Sequence, residues 1–314
     1  MRRLLSAVLL VAAIALPWLA ATGAMAADPI FPRGSAVGLV PPPGMVESQT
    51  FSGFEDRAHN ASLLIVDMPP EAFEQIDAGF ATPALAAKGI TLDRREPFPL
   101  EGAKAVLMEG TQTAGLVKLR KWVLLAGNAA LTALITLQVP ESESAAYPEA
   151  AVKAAFATLV IRPLTDQVGA LPFVVTDLAG FRPVRALAGT TLFLTEGPKD
   201  VIEGTEQPLF VVTVGGGAPR DDERRQFSIR ALAGLPGIKD LRLERAEPQR
   251  ISGQAGFEVM ATGVDARDGT PIKVAQWIRF GPNAYIRMVG VCRLDAFPDL
   301  YGRMRALRDG VEPR

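Results

Sequence analysis

Lys121-Trp122-Val123-Leu124-Leu125-Ala126-Gly127-Asn128-Ala129 runs on to Val139, and Gln276-Trp277-Ile278-Arg279-Phe280-Gly281-Pro282-Asn283-Ala284 runs on to Leu294. In both stretches a Trp stands six residues before an Asn-Ala pair, and the residues on either side alternate as two strands around a tight turn. A stretch found twice means that the chain is to be read as two copies of one unit.

Working outward from the first copy, Leu116–Leu125 and Ala129–Val139 form the hairpin. Ala103–Glu109 and Ile90–Phe98 precede it as strands bounded by Gly and Pro. Further back, Phe73, Ile76 and Phe80 mark one face of a helix that opens after Pro69-Pro70, is interrupted at Pro83 and stops at Gly89. Leu63-Leu64-Ile65-Val66 is an unbroken apolar run, as in a strand buried on both faces. Short strands at Gly38–Val40 and Phe51–Phe54 flank Pro41-Pro42-Pro43-Gly44. After the hairpin, Val152, Ala155, Phe156 and Leu159 give a closing helix one apolar face.

The same order returns in the second half. Phe181–Ala186 and Thr191–Leu194 are entry strands, and Leu209–Val212 matches Leu63–Val66 residue for residue. A helix follows Pro219, with Asp221, Asp222 and Glu223 in its first turn. Strands are expected at Asp240–Glu247, Gly256–Thr262 and, after the turn signal Asp268-Gly269, at Pro271–Phe280. Leu300, Met304 and Leu307 face a final helix inward. A period near 150 residues is too long for a solenoid. The predicted fold class is α+β: two tandem copies of a mainly antiparallel sheet covered by helices. The predicted domains are 27–162 and 173–314, joined by a linker at 163–172, behind a signal peptide at 1–26.

That leader has Arg2 and Arg3, an apolar run Leu4–Leu16, and Ala24-Met25-Ala26 before a mature start at Ala27. An uncleaved anchor is the alternative. No Cys adjoins the site, so a lipid anchor is not expected there. Without Arg2 and Arg3 the 33 basic residues fall to 31 against 34 acidic ones, a net charge of −3, which gives no reason to expect nucleic acid as a partner. The expected location is the periplasm.

The residues Val37–Met45, Leu63–Val66, Trp122–Val139 and their second-half partners resemble the PsbP-type domain, although the second half lacks the triple proline. The resemblance implies a PsbP-like α/β sandwich in two copies. It implies an exported bacterial envelope protein, non-enzymatic and accessory to a partner of the envelope. It transfers no functional residue.

No residue set demands a cofactor or a metal, and none is expected. Counting from Asn128 and Asn283, Cys292 falls opposite Leu137 in the alternating rows Leu131, Ala133, Ile135, Leu137 and Ile286, Met288, Gly290, Cys292. A Cys in such a row acts as a small hydrophobe, not a nucleophile. His59, the sole histidine, is expected in a polar loop, opposite Thr205. Gly215-Gly216-Gly217 lacks the Lys-Ser/Thr of a phosphate loop and is read as a turn; Asp265–Asp268 is likewise read as a turn before a calcium site. No Gly-x-Ser-x-Gly elbow occurs.

Two sets remain as candidate partner-binding residues. Trp122 and Trp277 recur at one place, as core closures or as two equivalent exposed spots. Arg303, Arg305 and Arg308 give the last helix a basic side for an acidic partner or for peripheral contact with anionic lipid. The main expectation is an envelope binding or accessory protein. The alternatives are an enzyme using only carboxylates and arginines, and a carrier of an apolar small molecule.

Overall fold

The computed structural model describes residues 27–80 and 89–314. The expected signal peptide and the Pro83 interruption lie outside these. The first half contains β1 (Val37–Gly38), β2 (Val46–Glu47), β3 (Gly53–Asp56), β4 (Ala61–Met68), α1 (Ala72–Gly79) and β5 (Ile90–Pro97). These are followed by β6 (Lys104–Ala114), β7 (Val117–Gly127), β8 (Thr132–Pro140), α2 (Glu149–Phe156) and β9 (Val160–Ile161). A short helix, α3 (Leu164–Gly169), leads into β10 (Phe173–Val175), β11 (Arg182–Leu187), β12 (Thr191–Thr195), β13 (Leu209–Gly216) and α4 (Arg224–Ala233). The chain closes with β14 (Ile238–Ile251), β15 (Gln254–Asp265), β16 (Pro271–Phe280), β17 (Ala284–Arg293), α5 (Phe297–Asp309) and β18 (Val311–Pro313).

Two seven-stranded antiparallel sheets result, ordered β2-β3-β4-β8-β7-β6-β5 and β11-β12-β13-β17-β16-β15-β14. The order is the same in both: the strand before the first helix pairs with the last strand of the meander. Small ribbons, β1 with β9 and β10 with β18, close the ends of the two units. The α+β class and the two tandem sheet domains therefore stand.

Each sheet has an inner face under the closing helix. In the first, Leu131, Ala133, Ile135 and Leu137 are buried against Val152 and Phe156 of α2. In the second, Ile286, Met288 and Cys292 are buried against Leu300, Met304 and Leu307 of α5. Gly290 continues that row because Met304 lies over it: a Cβ there would stand 2.5 Å from Met304 Sδ. Fully burying each of the larger side chains contributes roughly 1.5–3 kcal/mol. The β14–β15 hairpin turns through Ser252 and Gly253, both at positive φ, the backbone that a two-residue turn of right-handed twist requires.

The structure corrects three details of the expected register. Gly127 and Thr132 pair to close the first hairpin, so Asn128 opens its loop; Phe280 and Tyr285 close the second, so Asn283 is the third loop residue. The two Asn are thus displaced by two residues, and Trp122 faces Leu137 while Trp277 faces Met288. A shift of two keeps every side chain on its own face, which is why Cys292 is still in the core. The match of Leu63 to Leu209 is out by one: Leu63 points inward, whereas the inward residue of β13 is Phe210. The pairing of His59 with Thr205 falls with it. Leu64 and Val66 are 40% and 39% exposed, so β4 is not buried on both faces as its sequence suggested.

Residues 163–172 are not an extended tether. They contain α3, whose buried Gln167 donates from Nε2 to the Arg162 carbonyl at 2.7 Å. The domains touch here, where a Cβ on Gly189 would stand 2.6 Å from Gly34 Cα, and Arg185 reaches Glu71 at 3.6 Å.

Candidate functional site

Both tryptophans lie in the cores, Trp122 3% and Trp277 0% exposed, so neither indole is a surface contact for a partner. The structure gives them a shared role that the sequence reading missed. Each is the direct cross-strand partner of a buried glutamate: Glu109 faces Trp122, and Glu258 faces Trp277. Glu109 continues the inward row of Ala105 and Leu107, and a lone carboxylate in that alternation was the available signal.

The two glutamates are neutralised differently. Glu258 accepts hydrogen bonds from Trp277 Nε1 at 3.1 Å, Tyr301 OH at 2.8 Å and Arg245 Nη2 at 2.9 Å. Glu109 accepts from Arg94 Nη2 at 2.6 Å and Arg120 Nη2 at 3.3 Å, with Lys153 Nζ at 3.9 Å. Glu149, Glu96 and Asp93 extend this into a network at the domain surface. Among the described residues Trp122 Nε1 is buried with no hydrogen-bond partner. Both carboxylates are thus locked acceptors that tie an edge strand and a helix to the sheet.

The other sequence candidates sort as follows. Arg303 donates to the Ala179 carbonyl and to Glu196, and Arg308 is buried, paired with Asp309 and set over Trp277. Arg305 is exposed, with its guanidinium over Tyr301. Cys292 is buried, and burial pushes its thiol up to about 12, away from thiolate chemistry. His59 Nδ1 donates to the Asp56 carboxylate at 2.7 Å, and the ring is only partly exposed. Gly217 is a turn residue at φ +73°, its N–H bonded to the Asn283 carbonyl. Asp268 accepts the Thr270 N–H inside the β15–β16 turn.

An opening with ligand dimensions lies elsewhere, on the outer face of the second sheet. Helix α4 covers β14–β16 on that side: Gln276 Nε2 donates to the Ser228 carbonyl, and Leu232 packs on Val259 and Val274. Beyond α4 a groove of about 480 Å³ runs over β12, β13 and β17. Its floor is set by cross-strand pairing. Thr191, Thr213 and Arg287 form one row, Phe193, Val211 and Val289 the next, and Leu209 with Val291 lies on the far side of that apolar row. Leu235 and Ile238 stand at the rim, with Asp265 near the Ile272 end. The volume and the mostly apolar wall with a few polar groups are those of a small-molecule site. A single sequence window cannot show it, because its floor joins the neighbouring strands β12 and β13 to β17, far along the chain.

No family model matches the sequence, and no curated protein matches it. Solved structures similar to the chain include LpqN of Mycobacterium tuberculosis, described as involved in cell envelope biogenesis. It is 12% identical over 44% of this chain and 81% of its own, with a TM-score of 0.36. Cyanobacterial PsbP from Synechocystis is 12% identical over 43% of this chain and 94% of its own, at 0.27. A chain of the Tle4–Tli4 complex is 11% identical over 91% of this chain and 98% of its own, at 0.30. PsbP is thus among the structures this chain is similar to, as the sequence resemblance implied; at these scores the likenesses carry no function.

Proposed function

We propose that this chain is an exported, non-catalytic binding protein of the bacterial cell envelope, and that it holds a small apolar molecule on the outer face of its second sheet. The observation that supports this reading is the groove itself: about 480 Å³, open to solvent, floored by Phe193, Val211 and Val289 beside α4. The basic, then apolar, then Ala-x-Ala start of the chain supports export. The charged groups of both inner faces are engaged in ion pairs and hydrogen bonds, which suits a scaffold for binding. Of the five surface candidates, Arg305 remains for a contact with an envelope partner.

The test is a titration with a naphthylamine dye that brightens in apolar surroundings, together with native mass spectrometry of the chain recovered as the cell processes it. Val211→Glu places a charge on the groove floor and is expected to weaken dye binding at least tenfold, roughly the effect of a misplaced charge or unpaired polar group. Dye binding equally strong in that variant, or none in the unaltered chain, rejects the reading.

A further inference from the structure

The groove has a polar side and an apolar side, and the division is set by strand register. Thr191, Thr213 and Arg287 line up across β12, β13 and β17, and the Thr191 and Thr213 hydroxyls are 3.3 Å apart. Two residues along β17 the row is Phe193, Val211, Val289; two further on, Leu209 pairs with Val291. From Arg287 to Val291 is four residues, about 13 Å of strand.

Arg287 is an unusual residue for such a wall. Its Nε donates to Gln276 Oε1 at 2.8 Å and its Nη2 to the Ala231 carbonyl at 2.7 Å, so it is fixed in place. Both partners are neutral. Among the described residues it has no ion pair, although burial destabilises its charge. The groove's carboxylate, Asp265, sits near the opposite end and is already engaged, accepting the Arg267 N–H of its own turn at 2.9 Å and the Thr205 hydroxyl of the β12–β13 connection at 3.2 Å. A held, uncompensated guanidinium beside two hydroxyls, with an apolar channel leading away, is complementary to one kind of molecule.

Resting on the groove as the binding site, we propose that its ligand is a straight-chain carboxylic acid, with its carboxylate at Arg287 and Thr213 and its chain along Val211, Phe193 and Leu209. The guanidinium supplies the counter-charge and the direction: Asp265 repels a carboxylate at the other end, so the acid enters one way round.

The full chain, recovered as the cell processes it, is titrated with decanoate, decanol and decyltrimethylammonium, each displacing the naphthylamine dye. Decanoate is expected to bind about tenfold or more tightly than decanol, the size of one hydrogen bond to a charged group, and the cationic amphiphile most weakly. Arg287→Gln is expected to weaken decanoate about tenfold or more and so to erase the difference between acid and alcohol. Should that variant not fold, Thr213→Val provides the same reading, with a several-fold loss confined to decanoate. Equal binding of acid and alcohol overturns the head-group assignment and leaves the apolar site standing; failure of all three probes to displace the dye removes both.

Discussion

The two domains bury one glutamate each at the foot of a tryptophan, and they stabilise it in opposite ways. The second domain surrounds Glu258 with an indole N–H, a phenol and one arginine, so that two of its three partners are neutral donors. The first surrounds Glu109 with two arginines and a lysine, each partly open to water, and leaves its indole N–H without a partner. Its tyrosine works elsewhere: Tyr147 OH donates to Asp56 at 2.7 Å. A duplicated sheet keeps the position of a buried charge, while the residues that neutralise it are free to change, provided the number of partners is maintained.

This contrast can be broken most directly at the glutamates. Glu258→Ala frees an arginine that can turn to water but leaves the buried indole N–H and the phenol of Tyr301 unpaired, and is expected to cost about 1–3 kcal/mol for each of those two groups. Glu109→Ala releases cations that can turn to water and is expected to cost less than half of that. Urea denaturation followed by tryptophan fluorescence compares the two; equal losses would mean that solvent exposure of the partners does not matter.

A smaller effect is expected at Asp56. Bonds from His59, Tyr147 and the Ala58 N–H hold its carboxyl down at about 2, from 3.8. A lowered carboxylate pKa contributes stability above pH 3.8 and loses it as pH falls towards 2, about 2 kcal/mol in all. Asp56→Asn should therefore be less stable than the unaltered chain at neutral pH, and the gap should close below pH 3. A gap independent of pH between 2 and 5 would show that the hydrogen bonds do not depend on the charge.

The smallest effect concerns the indoles. Trp277→Phe removes a donor from Glu258 and is expected to cost about 1–2 kcal/mol more than Trp122→Phe, which removes an N–H that has no partner among the described residues. Thermal unfolding of the two variants reads the difference, and a larger loss in Trp122→Phe would refute the assignment of its N–H as unpartnered.

The outer faces differ as well. In the first domain the opening under α1 is about 190 Å³ with Lys121 in its wall, and burial pushes that ammonium's pKa down. In the second it is about 480 Å³ with Arg287. Only the larger reaches the size at which small molecules are held. At the turn-proximal end of β8, Thr132 donates its hydroxyl to the Pro70 carbonyl and draws the start of α1 onto the sheet. Beside the corresponding turn, Arg287 of β17 binds the end of α4 instead, and the neighbouring face stays open.

The sequence by itself determined the repeat, the strands and the inward rows. Alternation is a local property: it placed Leu131 to Leu137 and Ile286 to Cys292 on the core side and survived a two-residue error in aligning the turns, since a shift of two leaves the faces unchanged. It could not place Leu64 and Val66, because an unbroken apolar run does not say which side is covered. Tertiary structure alone decided the rest. Glu258 acquires its phenol from a helix more than forty residues away, and the groove acquires its polar and apolar sides from three strands whose register follows from the closing of the whole sheet. Such sites depend on distances across strands, which no spacing along the chain records.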